Sequence, residues 1–583
     1  MLSIGVSTLP PLMDIADVQR GQRGICLTVF EGTEVEEVPF FVKGVMHDYL
    51  GPDRDLVMIR LEGEKAEFTG VVAGMSGSPC SIDGKLVGAL GYAFAAFAKE
   101  PIAGVTPIRD MLATAALPDS GRTWRSPKGS SATNRADDAK DAWAALRDGV
   151  APQRAADKAS LADGFRKIDT PLALGGVPPE MREHFRPWLE SLGFSVMSGG
   201  NSVAGASEAL SFEPGGAIAA LLVDGDIRIA ATGTVTTLVD GTLTAFGHPF
   251  TGAGKVSIPM APAVILNTMA SQQRSFKMSA PGPIQGELTQ DRLPAIAGKV
   301  GVFAPMIPLR LRFSSAGQDH SHSLRIARDP ALTPRFVAMG LASLLGNRIT
   351  AGSRGTLRVQ STLKVANLPS VTLDRWYSAE SNARMSVEPA IDIARVFSWL
   401  WSEAWGQPPA IELEIVAVWS DEPIGEFVDT VALDRSKARP GETVHGSVKL
   451  LGLQGAQRVV PFAVEIPRKF AGQRVDVVVG SSEGFDEIDG LLDGAPQIEN
   501  REELVSWLNR QRESRALRVG MVVDGLRVGD SRRPLTRVPG TKGLMLSGQT
   551  SQLRRGALVY EDIIKRGIDI RGWSTISLDI AEY

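Results

Sequence analysis

Short runs of β-branched and aromatic residues, cut every few positions by glycine, aspartate or proline, fill residues 20–112 and return over 217–313. Runs of that length and composition form strands, and their breakers form turns. Residues 24–32, 38–45 and 55–61 predict strands in the first stretch. Residues 217–223, 227–231, 232–239 and 242–246 predict strands in the second, with Asp240-Gly241 as a hairpin turn. The chain is therefore expected to be mostly β.

At 583 residues it is too long for one core, and about 100–200 residues per domain implies several. The expected divisions are a β part over 1–120, a helical insertion or linker over 121–204, and a second β part over 205–330. A mixed α/β domain over 331–430, a short β-sandwich-like unit over 431–490 and a mixed α/β end over 491–583 follow. The insertion rests on a charged, alanine-containing stretch at 136–147 and an amphipathic run from Met181 to Leu192. Pro107 opens a short helix, and Asn500-Arg501-Glu502-Glu503 reads as a capping box.

Charge narrows the function. A net charge of -4 with no long Lys/Arg run disfavours a nucleic-acid binder. The six histidines show no metal-ligand spacing beyond His320 and His322, in a polar connection, and no phosphate or dinucleotide loop is present, so no cofactor is expected. No stretch is apolar enough to span a bilayer, and the opening residues do not read as a signal peptide. Cys26 and Cys80 are the two cysteines: one bridge is conceivable, and a small buried residue is the expected role of Cys80.

The chemistry concentrates in Gly74-Met75-Ser76-Gly77-Ser78-Pro79, expected to follow a strand over 68–73. Small neighbours leave the Ser76 hydroxyl exposed, and glycines let backbone amides converge, as a nucleophile with an oxyanion hole requires. Gly74 and Ser76 supply those N–H groups. A base is found in His248, where Gly247 and Pro249 flank an expected exposed ring at a strand end.

Gly74 to Pro79 with Asp83-Gly84-Lys85, and Gly233-Thr234-Val235-Thr236 with Phe246-Gly247-His248-Pro249, resemble the serine and histidine segments of the SpoIVB-like serine peptidases, family S55. The resemblance covers roughly residues 15–112 and 205–315. It implies a chymotrypsin-like double β-barrel core in a bacterial protein that is exported, periplasmic or extracellular, with Ser76 as nucleophile and His248 as general base. Here the serine segment comes first, which implies a permuted arrangement. The family's aspartate position falls on Glu62, fourteen residues before Ser76, with Asp55 and Asp226 as rivals and a Ser-His dyad as the remaining option. The expected partner is a protein or peptide substrate, with the C-terminal domains available to a cell-envelope partner. The 121–200 segment is expected to act as a lid or a site of self-cleavage. The alternative is a non-catalytic binding scaffold on a peptidase-like fold.

Overall fold

The computed structural model describes residues 9–94, 99–118, 143–150, 164–200, 210–272, 274–349, 354–379, 385–402, 405–453, 455–493, 498–510, 515–529, 535–536, 552–567 and 569–582. The chain divides into two units. One comprises residues 1–310, 322–348 and 386–412, the other 311–321, 349–385 and 413–583. The division runs through the segment 331–430 rather than round it.

The fold is mostly β. In the first unit β1 (Arg23–Thr28), β2 (Glu36–Gly51), β3 (Arg54–Leu61), β4 (Pro79–Ile82), β5 (Lys85–Phe94) and β6 (Ile102–Pro107) pair in the order β1-β2-β3-β6-β5-β4, and β4 returns to β1. That ring is a closed six-stranded barrel, which leaves no open edge around its girth. Inward residues such as Phe40, Val42, Leu61 and Leu90 fill it, with Met75 and Ile168 joining the same core. Asp83 and Gly84 take left-handed conformations between Ile82 and Lys85, giving a two-residue hairpin.

The chain then makes β7 (Phe165–Lys167), β8 (Thr170–Gly175) and β9 (Phe194–Ser198), followed by β10 (Ala217–Gly225), β11 (Arg228–Val239), β12 (Thr242–Ala245), β13 (Gly254–Met269), β14 (Phe276–Pro281), β15 (Gly286–Asp291) and β16 (Ile296–Val300). Strands β10-β11-β12-β16-β15-β13 form a second ring, closed by β13 on β10. Strand for strand, the connectivity is that of the first barrel. Asp240-Gly241 is the expected hairpin turn, both residues at positive φ.

Two sequence expectations need correction. The segment 121–204 is not a purely helical insertion: its described part holds helical residues at 143–148 and the helix Pro179–Ser191, but also three strands, β8 joining β11 and β7 joining β5. The buried Leu172-Ala173-Leu174 run explains β8. Of the helix expected over 136–147, residues 143–147 are helical, and the rest lies outside the described residues. Nor is 68–73 a strand. Glu64–Thr69 is a short helix, as its Glu-Lys-Ala-Glu opening favours, and Phe68 at its end is 79% exposed.

In the second unit, Glu426–Leu433, Thr443–Gly452 and Gln457–Glu465 form one sheet with Ile570–Arg571. Arg474–Ser481, Ala516–Gly529, Gln552–Arg566 and Trp573–Ile580 form another. Val448, Phe462, Val477, Val519 and Leu578 from both sheets share one core.

Candidate active site

The Ser76 turn is the connection from the third to the fourth strand of the first barrel. Two tight bonds fold it, Met75 N–H to the Val72 carbonyl at 3.0 Å and Ser78 N–H to that of Met75 at 2.9 Å. It is laced to β5 by Gly77 N–H to Leu90 O (2.7 Å) and Leu90 N–H to Ser78 O (3.0 Å). Four residues beyond Ser76, Cys80 is disulfide-bonded to Cys26, its register partner on β1. The expectation of a free, merely space-filling Cys80 is thus overturned: closure of the barrel by β4 on β1 puts the two thiols opposite one another.

The second barrel holds the other side of the turn. Thr234 donates its backbone N–H to the Ser76 carbonyl (2.8 Å) and its hydroxyl to that of Gly74 (2.9 Å), and the Thr236 hydroxyl donates to Gly77 O (2.7 Å). Residues two apart on a strand face the same way, so this Thr-x-Thr spacing meets successive carbonyls of the turn. Gly77, at φ +99°, is obligatory here, since a Cβ would lie 1.9 Å from Thr234 O.

His248 occupies the equivalent third-to-fourth connection of the second barrel. Phe246 precedes it in a left-handed conformation (φ 72°), a strained state for a buried aromatic residue. The carbonyl of Gly247 accepts the Thr106 hydroxyl at 2.6 Å and abuts Gly91 of β5, where a Cβ would stand 2.2 Å away. Both connections therefore meet along β5 at the seam between the barrels.

His248 Nδ1 lies 2.8 Å from its neighbour's carbonyl, Pro249 O. A carbonyl only accepts, so Nδ1 carries the proton and Nε2 presents its lone pair. Burial, reinforced by the Lys167 ammonium, pushes the imidazole pKa down to about 3. Ser76 and His248 are both fully buried, and neither Ser76 Oγ nor His248 Nε2 has a hydrogen-bond partner. Ser78 Oγ and Thr170 Oγ1 are likewise buried and unpartnered. The exposed hydroxyl and ring expected from the sequence are corrected on this point: each strand end is covered by the opposite barrel. The N–H groups of Gly74 and Ser76 bond to no other described residue.

None of the three candidate acids bonds to His248. Glu62 pairs with Arg23 at 2.5 Å and approaches Arg60. Asp55 accepts the Asp48 N–H and faces His47, and Asp226 accepts the Ser323 N–H beside His322. The carboxylate that grips the histidine connection is Asp291, buried at the end of β15. It accepts the N–H of Phe250 and, on its other oxygen, the N–H groups of Thr251 and Gly252 and the Thr251 hydroxyl, all at 2.8 Å. Lys167 reaches the same loop, donating to Phe250 O at 3.3 Å. No spacing rule singles out Asp291, because its partnership arises only when the barrel closes.

Lys277 on β14 is also fully buried beside the serine turn. Its backbone N–H donates to Ala73 O (3.0 Å) and its ammonium to the Thr28 hydroxyl (2.7 Å). Desolvation lowers its pKa to about 7. Among the described residues no cluster of three His, Cys, Asp or Glu side chains is arranged to hold a metal ion.

Comparison with protein-family models, curated proteins and solved structures finds no match to this chain. The double-barrel architecture is of the kind used by proteases. The site it presents is a serine and a neutral imidazole on matching connections, not joined by a hydrogen bond.

Proposed function

We propose that this chain is a serine endopeptidase of the S55 type, with Ser76 as nucleophile and His248 as general base. The observation that carries the reading is the pair of buried, unpartnered atoms Ser76 Oγ and His248 Nε2. They lie on topologically equivalent connections that converge on β5. Buried polar atoms are ordinarily satisfied, and exceptions concentrate where chemistry is done.

In the reaction Nε2 takes the Ser76 proton as Oγ attacks a peptide carbonyl, then returns it to the leaving amine. Water, deprotonated by the same nitrogen, hydrolyses the acyl-enzyme. The Gly74 and Ser76 N–H groups stabilise the oxyanion, each such donor being worth about 3 kcal/mol of barrier. The Pro249 carbonyl and Asp291 act as positioning groups for the ring and its loop. Oγ and Nε2 are not hydrogen-bonded, so on this reading their approach accompanies substrate binding. The Cys26–Cys80 bond supports an exported, periplasmic or extracellular location, where disulfides persist.

The complete burial of both groups favours a second reading, a peptidase-derived scaffold that binds proteins, including cell-envelope partners, without cleaving them. Digestion of an unfolded protein such as casein, with the new termini mapped by mass spectrometry, separates the two. Cleavage abolished by Ser76→Ala and by His248→Ala supports the peptidase. Cleavage that persists in purified Ser76→Ala protein overturns it.

A further inference from the structure

On one side β5 is paired with β6 along most of its length, to Ala93. On its other side β4 pairs only as far as Ala89, because the chain departs there into the Ser76 turn. From Gly91 onward that edge would be open. It is filled by the connection between the barrels: Phe165, Arg166 and Lys167 pair antiparallel with Phe94, Ala93 and Tyr92, and Ile168 N–H donates to Gly91 O at 2.9 Å.

The edge so covered adjoins the site. Leu90, one residue before Gly91, bonds to the serine turn, and Gly91 itself abuts Gly247. Ile168 is buried in the first barrel's core cluster with Val72, Met75 and Leu90. Three residues on, Pro171 packs on Gly74: a Cβ there would lie 3.2 Å from its ring. The segment thus enters as an added strand, buries an aliphatic side chain beside the nucleophile's turn, and passes Gly74. An extended peptide adding to a free strand edge makes these same main-chain bonds, with alternate side chains in pockets. The exposed side of the segment stays reachable, since Lys167 and Asp169 line an open cleft of about 340 Å³ together with Thr69, Ala73 and Phe94.

We propose that the β5 edge from Gly91 to Phe94 is the peptide-binding strand of the site, and that Phe165–Ile168 is an internal occupant of it. The ligand is an extended peptide with an aliphatic residue at the position of Ile168, and the occupied state holds the site closed. This rests on the peptidase reading for what happens to a bound peptide, but not for the binding itself.

Full-length Ser76→Ala protein, which cannot cleave, is titrated with a fluorescein-labelled peptide of residues 164–171 and followed by anisotropy. Arg166→Pro, added to this protein, breaks the ladder at an exposed position; Ile168→Ser weakens the anchor in a second chain. Each released chain is expected to bind at least tenfold more tightly than its parent. A peptide carrying aspartate at the Ile168 position should bind at least tenfold more weakly than the parent sequence. Equal affinity for released and unreleased chains, or no binding to either variant while both retain cooperative melting, overturns the proposal. Casein cleavage without peptide binding leaves the peptidase and removes this edge as its binding strand. Tight binding to the released chain with Ser76 intact, without hydrolysis, does the reverse.

Discussion

The two barrels share a strand order and differ in how they are held. The first is filled with large apolar side chains, among them Phe40, Val42, Ile59 and Leu61, and is cross-linked by Cys26–Cys80. In the second, β11 buries threonines 232, 234, 236 and 237, and a neighbouring cluster is built largely of alanines. Small side chains let backbones approach, and the Thr234 and Thr236 hydroxyls satisfy carbonyls of the opposing serine turn, while those of Thr232 and Thr237 pair with Ser279 and Thr244. One barrel supplies a fixed serine turn. The other supplies the polar surface that seats it, and a histidine loop held by a buried carboxylate. Matching connections have taken up complementary tasks.

The largest test of that seam is Gly77→Ala. With a backbone oxygen 1.9 Å from the new Cβ and φ at +99°, the cost should exceed about 4 kcal/mol, and the variant should fail to fold. Gly84→Ala in the first barrel's own hairpin is the control. Nothing lies within 4 Å of its Cβ, so only the positive-φ strain of about 1 kcal/mol applies. Chemical denaturation of both variants checks the contrast, and equal losses would break it.

Replacing Cys26 and Cys80 together by serine should cost about 2–4 kcal/mol, a loss confined to the barrel that has the bridge. Hydrogen exchange resolves the location: β1 and β4 amides should lose protection before those of β11 and β12.

Asp291→Asn should cost about 1–3 kcal/mol, since the amide cannot accept from every donor that the carboxylate serves. It should also lower kcat for casein cleavage more than it raises KM, with partial rescue by Asp291→Glu. A purely structural role would lower stability and leave kcat per folded molecule unchanged.

Acidity tests the buried imidazole. An unfolded histidine binds a proton below about pH 6.5, whereas folded His248 resists protonation down to about 3. The unfolded state therefore binds more protons across that window, and stability must fall as pH drops from 6.5 to 3. In His248→Gln the slope should be shallower by one proton's contribution. The smallest effect belongs to Glu62→Gln, whose exposed pairing with Arg23 is worth about 0–1 kcal/mol and should leave cleavage untouched.

Strand-and-turn punctuation made the mostly β character and the Asp240-Gly241 hairpin legible in the sequence, whereas the two barrels were expected only from the family resemblance of the serine and histidine motifs. The Asn500 cap was legible as well, its side chain accepting the Glu503 N–H at 2.8 Å. What was not legible depends on closure in three dimensions. The Cys26–Cys80 bond needs β4 to return to β1, and Asp291 needs β15 beside the histidine loop. Burial of Ser76 and His248 needs two barrels, because each residue taken within its own strand end looks exposed. Glu62 was suggested by distance along the chain, a poor guide across a barrel whose third and fourth strands are not neighbours.

The central claim is that the seam pairs a reactive serine with a neutral histidine. It is tested most directly by incubating the full chain and its Arg166→Pro variant with a fluorophosphonate probe, followed by peptide mapping. The account predicts a covalent adduct on Ser76, faster in Arg166→Pro and absent after His248→Ala. No adduct on Ser76 in either chain, or an adduct that forms equally well without His248, would contradict it.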